Sequence, residues 1–237
     1  MLFQISAIVG DWDRAEKQLD MVGTLDAAAL DFVQDYKAAI AAERTRARVM
    51  AGDAPPSVFG DPPPWIAGMV EALRMDSLGE DAAAHDLRNG AMEQATAVPG
   101  TADDMPFSWI ADADQRFGPV IECVLNGEYH WVPMETVAKL EFEPPRDLRD
   151  LVWSVGIVTF TNGGSWPLMV PTRYPGSEYR VSEEAPHAMA RRTDWRTLHE
   201  SHAAGIGQRM FATDDNDVPL LDLRLLTLES VDTDGEG

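Results

Sequence analysis

The spacing of apolar residues changes character near residue 100. Before it, good helix formers dominate, and apolar side chains recur at intervals of three and four. In the Ala-rich stretch 27–51, Leu30, Val33, Ala38, Ile40 and Ala41 give an approximate helical face. Gly52 and then Pro55-Pro56 stop that helix. Pro62-Pro63-Pro64 precede the next, where Ile66, Met69, Val70 and Leu73 share a side, and another helix is expected over 82–95 after Gly79. The apolar opening, Met1-Leu2-Phe3-Gln4-Ile5-Ser6-Ala7-Ile8-Val9, reads as a helix too. It lacks the basic start and small-residue cleavage site of a signal peptide.

A faint repeat runs through this half. Gly10-Asp11-Trp12-Asp13-Arg14-Ala15 with Leu19 and Val22 matches the second helix of a tetratricopeptide unit. A small residue there lets helices cross closely and larger apolar ones follow. Gly79-Glu80-Asp81-Ala82-Ala83-Ala84 with Ala91 echoes it 69 positions on, close to twice the ~34-residue repeat. The middle unit is degenerate, and Arg88 stands where Leu19 predicts an apolar residue. A divergent repeat stack is the expectation; an ordinary Ala-rich bundle is the alternative.

Beyond Val98-Pro99-Gly100-Thr101-Ala102-Asp103-Asp104, whose small and polar residues suggest a boundary, the period falls toward two. The segments 120–125 and 128–132 flank Asn126-Gly127, the strongest short hairpin signal. Lys139-Leu140-Glu141-Phe142-Glu143 alternates as a half-buried strand. A second hairpin is expected around Asn162-Gly163-Gly164-Ser165 and a third around Asp214-Asp215-Asn216-Asp217. The expected fold class is α+β. It comprises a helical, tetratricopeptide-like domain over 1–100, a mostly antiparallel, small barrel-like domain over 104–228 with short helices near Leu148 and Ala185, and an acidic flexible tail over 229–237.

Charge narrows the partners. Nineteen Lys and Arg face 40 Asp and Glu across 237 residues, a net charge of -21. So acidic a surface repels phosphate backbones and anionic lipid heads, which argues against nucleic acid and membrane-surface partners. No apolar run approaches the ~20 residues needed to cross a bilayer. The single Cys123 excludes an intramolecular disulfide and fits a reducing compartment, with the cytoplasm expected.

The candidate chemistry is thin. Asp112-Ala113-Asp114 offers alternating carboxylates to a divalent cation, but Gln115-Arg116-Phe117 supplies none of the further ligands an EF-hand needs. A capped turn or Arg pairing is the better reading, and Asp214-Asp215-Asn216-Asp217 reads as a solvated hairpin tip. His199 and His202, with His187 nearby, have the spacing of metal ligands, yet no Cys pair or His-Glu-x-x-His motif supports them. Cys123 sits in a predicted buried strand, where a thiol acts as a small hydrophobe. No nucleophile elbow, phosphate loop or dinucleotide fingerprint occurs. Arg146, Asp147, Arg149 and Asp150 beside Trp153, Arg173-Tyr174, and Arg191-Arg192 before Trp195 mix planar guanidiniums with carboxylates and aromatics. Such sets build an internal ion-pair frame or a binding surface, and the frame is favoured because both signs occur together.

These last motifs are distinctive as a series. Trp109-Ile110-Ala111-Asp112-Ala113-Asp114-Gln115-Arg116-Phe117-Gly118-Pro119, Asn126-Gly127-Glu128-Tyr129-His130-Trp131-Val132-Pro133, Glu143-Pro144-Pro145-Arg146-Asp147-Leu148-Arg149-Asp150-Leu151-Val152-Trp153 and Pro171-Thr172-Arg173-Tyr174-Pro175-Gly176-Ser177-Glu178 resemble the ImpE (also SciE or TagJ) family. The resemblance resumes at Ala190-Arg191-Arg192-Thr193-Asp194-Trp195 and Gly207-Gln208-Arg209. It implies a non-enzymatic, virulence-associated accessory role in bacterial type VI secretion, without a cofactor. The implied contact is with the N-terminal helix of the small, TssB-type sheath subunit, with a link to sheath disassembly by the ClpV ATPase. Helical repeats commonly take an amphipathic helix in a groove. Trp12, Leu19, Ile66, Met69 and Leu73 are therefore the candidate apolar anchors, although at these spacings an inter-helix core is the favoured role for each. The motif residues Trp109, Asp112, Asp114, Arg146, Asp150, Trp153, Arg173, Tyr174 and Arg209 are expected to be structural. The alternative is a metal-dependent or hydrolytic enzyme using the carboxylates of the β-rich part.

Overall fold

A computed structural model describes residues 2–178 and 185–229. Five helices come first: α1 (Leu2–Ile8), α2 (Trp12–Leu25), α3 (Leu30–Met50), α4 (Ile66–Ser77) and α5 (Asp81–Gln94). Asp11 caps α2, its carboxylate accepting from the Arg14 amide at 3.1 Å. Gly52, at φ 73°, ends α3 in the left-handed turn expected of it. Helices α1 and α2 pack together, as do α4 and α5.

Strand β1 (Ser57–Val58), between α3 and α4, pairs in parallel with β6 (Glu128–Pro133). The remaining strands are β2 (Gly100–Ala102), β3 (Met105–Phe107), β4 (Ile110–Asp112), β5 (Val120–Leu125), β7 (Val137–Phe142), β8 (Trp153–Phe160), β9 (Ser165–Pro171), β10 (Thr193–His199), β11 (His202–Gly207), β12 (Met210–Thr213), β13 (Asp217–Pro219) and β14 (Leu225–Leu228). A nine-stranded sheet runs β1-β6-β5-β9-β8-β7-β14-β2-β3, beside the three-stranded β13-β12-β4 and the hairpin β10-β11. Helix α6 (Ala185–Ala188) precedes that hairpin.

Asn126-Gly127 makes the expected tight hairpin. Both residues have positive φ, 51° and 79°, and Leu125 pairs with Glu128. The second hairpin also forms, with Thr159 opposite Ser165.

Four expectations change. The sheet is open, with β1 and β3 as free edges. Its curl is filled instead by Ile110, Phe211, Val218, Leu220 and Leu223 from the smaller sheet and its flank, so strand closure is not needed to bury the face. Residues 98–104 are no loose linker. Val98 is buried, and Gly100 lets β14 come close, since a Cβ there would stand 2.0 Å from the Thr227 carbonyl oxygen. The chain near Leu148 forms turns rather than a helix, because the Asp150 carboxylate captures the Arg146 and Asp147 amides. In the third hairpin β12 pairs with β13, while β14 joins the large sheet. Apart from Glu229, the expected tail 229–237 lies outside the described residues.

Three apolar clusters hold these layers. One fills the concave side of the sheet around Ile121, Leu140 and Leu226. A second seats α3, α4 and α5 on the outer face through Val49, Met69, Phe117 and Trp131. The third joins α1, α2 and α3 to Trp153. Trp131 is completely buried, its ring 5.9 Å from Phe117 and its Nε1 donating to the Tyr129 hydroxyl at 2.8 Å. Trp131→Ala is expected to cost ~3–5 kcal/mol through cavity formation, measured by chemical denaturation; an unchanged midpoint would refute this packing.

Candidate docking trough and the charge network behind it

Glu122 alternates onto the outer, helix-bearing face of β5 with Val120 and Val124, and is completely buried. A lone carboxylate there needs partners. Arg46 of α3 supplies one, its Nε donating to both Glu122 oxygens at 3.0 and 2.9 Å. Arg209 supplies the second, bonding Glu122 and Asp112 through its two Nη atoms. The Tyr129 hydroxyl donates to Glu122 at 2.7 Å and the Tyr174 hydroxyl to Asp112 at 3.0 Å. Burial alone would push the Glu122 carboxyl up, but the Arg46 and Arg209 guanidiniums hold it below the usual carboxylate range.

The network spreads outward from there. Arg46 donates to Glu43 at 3.2 Å and to the Arg173 carbonyl at 2.7 Å, and the Trp153 indole donates to Glu43 at 3.0 Å. Arg173 donates to the Ile8 and Ala188 carbonyls at 2.8 and 2.6 Å, tying the end of α1 to α6. Arg116 forks onto Asp114, which also accepts from the Gly205 amide at 2.9 Å. Arg209 is sandwiched by Phe117 and Tyr174, 4.9 and 5.2 Å from their ring centres.

Among the motif residues, Asp112, Asp114, Trp153, Arg173, Tyr174 and Arg209 thus meet in one buried frame. Asp150 caps the neighbouring turn, whereas Arg146 and Trp109 are exposed. Arg46, Glu43, Arg116, Glu122 and Tyr129 were not singled out by sequence. Glu122 as the lone charge in Val120-Ile121-Glu122-Cys123-Val124-Leu125 was the available signal, as was Arg46 on the stripe of Ala39, Ala42 and Val49.

The metal and nucleophile readings find no assembled site among the described residues. Among the described residues no three His, Cys, Asp or Glu converge as metal ligands. His187 lies 2.9 Å from Asp194, away from His199 and His202, which meet His85 instead. Burial pushes the Cys123 thiol up to about 12. Asp214-Asp215-Asn216-Asp217 form the exposed tip of the β12–β13 pair, where the Asp214 carboxylate accepts from the amide and hydroxyl of Ser108.

Of the expected anchors, Leu19, Ile66, Met69 and Leu73 are core residues, 0–3% exposed. Their side chains are used in helix–helix and helix–sheet packing. Trp12 is half-buried against Trp153, at 5.9 Å. The accessible apolar concavity lies elsewhere. Helix α3 covers the β5–β6 part of the outer face, leaving β8 and β9 open beside it. Gln34, Asp35 and Ala38 of α3 wall a trough of about 450 Å³ floored by Val124, Val155, Pro167 and Met169, with Asn126-Gly127 among its lining residues. It adjoins a recess of about 220 Å³ that shares Asp35, Val155 and Met169 and adds Phe32, Tyr36 and Arg149. Arg149 stacks over Phe32 and Tyr36 at 5.2 and 5.3 Å. The exposed Ile157 extends the open face.

The ImpE protein family model matches residues 104–227. Over 231 residues the chain is also 43% identical to the "Type VI secretion system accessory component TagJ" of Pseudomonas aeruginosa strain PAO1, covering 98% of this chain and 80% of that protein. The chain belongs to the ImpE family. A crystal structure of protein VPA1032 from Vibrio parahaemolyticus shares the fold of this ImpE-family chain, with a TM-score of 0.85 at 23% identity over 96% of this chain and 84% of that one. No helix among the described residues is long and apolar enough to cross a membrane.

Removing one member of a buried ion pair strands the others, at roughly 3–5 kcal/mol. Glu122→Gln is therefore expected to lower the melting temperature by about 6–20 °C. The sign with pH follows from the lowered carboxyl: Glu122 contributes stability above its unfolded range and loses it as pH falls through the lower folded value. The acid limb of a stability–pH curve should flatten in Glu122→Gln, and an unaltered limb would contradict the role given to this carboxylate.

Proposed function

We propose that this chain is a non-enzymatic, cytoplasmic accessory component of type VI secretion. In this reading it is an adaptor for the amphipathic N-terminal helix of the small, TssB-type sheath subunit, linked to sheath disassembly by a ClpV-type ATPase. The carrying observation is the apolar trough between α3 and the open β8–β9 face. An amphipathic helix needs a concave apolar strip for its anchors and a polar rim to set its register. Val124, Val155, Pro167 and Met169 offer the strip, and Gln34 and Asp35 the rim. The helix pairs α1–α2 and α4–α5, read as divergent repeat units, would stiffen the helical side of the molecule. The kinship to a protein named as a secretion accessory component supports the context. Against the enzyme alternative stands the engagement of its carboxylates, since Asp112 and Asp114 are each held by a guanidinium.

Calorimetry with a synthetic peptide of the sheath subunit's N-terminal helix tests this without metal or nucleotide. Pro167→Asp and Met169→Glu put charge on the trough floor and should each weaken binding about tenfold or more, roughly 1.4 kcal/mol. Leu2→Ser, on the exposed side of α1, should leave binding unchanged. Equal affinity for a scrambled peptide, or indifference to both floor variants with their folds intact, would reject the reading.

A further inference from the structure

The hairpin β10–β11 stands apart from both larger sheets, and its tip rests on α5 through histidines. His85 of α5 is 8% exposed and His202 of β11 is 5% exposed, with ring centres 4.1 Å apart. His199 of β10 closes on the other side of His85, at 5.3 Å. Asn89, one turn along α5, bridges the first two, its Nδ2 lying 2.9 Å from His85 Nε2 and its Oδ1 3.0 Å from His202 Nε2.

An amide nitrogen only donates and an amide oxygen only accepts, so the bridge fixes both tautomers. The proton sits on His85 Nδ1 and on His202 Nε2. Each ring's Nδ1 is then buried with no hydrogen-bond partner. Protonating His202 would place a cation at such a nitrogen, against the His85 ring and near the Arg88 guanidinium of the same helix. Arg88 is itself paired with Asp76 of α4. Glu200 at the tip lies 3.5 Å from His85 Nε2 and 3.9 Å from His199 Nε2 but is largely exposed, so it answers the cluster weakly. Glu200 also holds a left-handed φ of 45°, a backbone conformation its side chain disfavours.

We propose that His202, His85 and Asn89 form a proton-sensitive latch holding the β10–β11 tip on α5, closed when His202 is neutral and released when it takes a proton. Burial, then His85, Arg88 and His199, pushes His202 down to about 4 from its ordinary 6.5. A base lowered on docking binds its proton better in the open hairpin. The latch is therefore at full strength above the ordinary histidine value, and its opening constant rises about tenfold per pH unit between there and the lowered value. The hairpin base should stay in place, because Gly205 packs flat on Tyr174, where a Cβ would come within 2.2 Å, and its amide is bound by Asp114. Release therefore frees the tip and uncovers the His85–Asn89 face of α5 without unfolding the sheet.

Hydrogen exchange on the full chain, corrected for the intrinsic pH dependence of exchange, reads this directly. From pH 7.5 to 4.5, amides of 198–202 should lose protection about tenfold per unit below the histidine range, while those of β5 and β6, and of Ala203, which is held by Gln115 at 2.7 Å, keep theirs. His202→Gln, whose amide still reaches Asn89 but never charges, should remove the slope. If that variant fails to fold, NMR titration of the wild-type His202 ring serves instead: it should titrate well below the ordinary histidine value of 6.5. A flat profile, a slope persisting in His202→Gln, or a His202 midpoint at the ordinary value would each overturn the latch. So would a tip that ignores pH and tightens only with zinc.

Discussion

The buried Glu122 carboxylate joins the helical layer to both larger sheets through Arg46 and Arg209. Glu122 lies in the middle of an otherwise apolar strand, wholly out of water, and is tolerable there only because guanidiniums reach it from two directions. Arg46 comes from the helical layer and Arg209 from the approach to the three-stranded sheet. The helix-to-sheet and sheet-to-sheet contacts are thereby locked in a single geometry. Apolar packing alone would allow α3 to slide along the sheet. A bidentate guanidinium–carboxylate pair does not, since its energy falls off steeply with distance and angle.

The aromatic residues complete that geometry. Tyr129 and Tyr174 donate to the two carboxylates, Trp131 donates to Tyr129, and Trp153 donates to Glu43 on the helical side. Each ring contributes its area to an apolar cluster and its single polar atom to the charge network. The charge pairing is local: Arg46, Arg116 and Arg209 reach Glu43, Asp112, Asp114 and Glu122, while Arg173 is held by the Ile8 and Ala188 carbonyls. The excess of acid over base that gives the chain its charge of -21 is carried outside this core, where it repels anionic partners and shapes encounter rates.

The same lock leaves an open surface. Because Arg46 holds α3 over β5 and β6, the outer face of β8 and β9 stays uncovered beside it, and the trough is the gap between them. Its floor is apolar because Val155, Pro167 and Met169 alternate outward on strands whose other faces bury Gly156, Leu168 and Val170. The trough is thus a by-product of where one ion pair pins a helix.

Period and punctuation in the sequence determined the helices before residue 100, the Asn126-Gly127 hairpin and the alternation of β7, because these depend on neighbours a few positions apart. The grouping of Arg and carboxylate with Trp153, Arg173 and Tyr174 marked a structural frame, and the family motifs carried the kinship. What the chain alone did not reveal was which distant residues meet. Glu122 and Arg46 are 76 positions apart and His85 lies 117 positions before His202, so no local pattern links them. The two-residue β1, the strand β2 hidden in Gly100-Thr101-Ala102 and the open edge of the sheet were likewise decided by tertiary packing. Short strands gain their hydrogen bonds only once a partner strand is in place. Leu19, Ile66, Met69 and Leu73 are core for the same reason, and Trp12 stays half-buried: spacing shows that a side of a helix is apolar, while only the assembled layers determine whether protein or solvent lies against it.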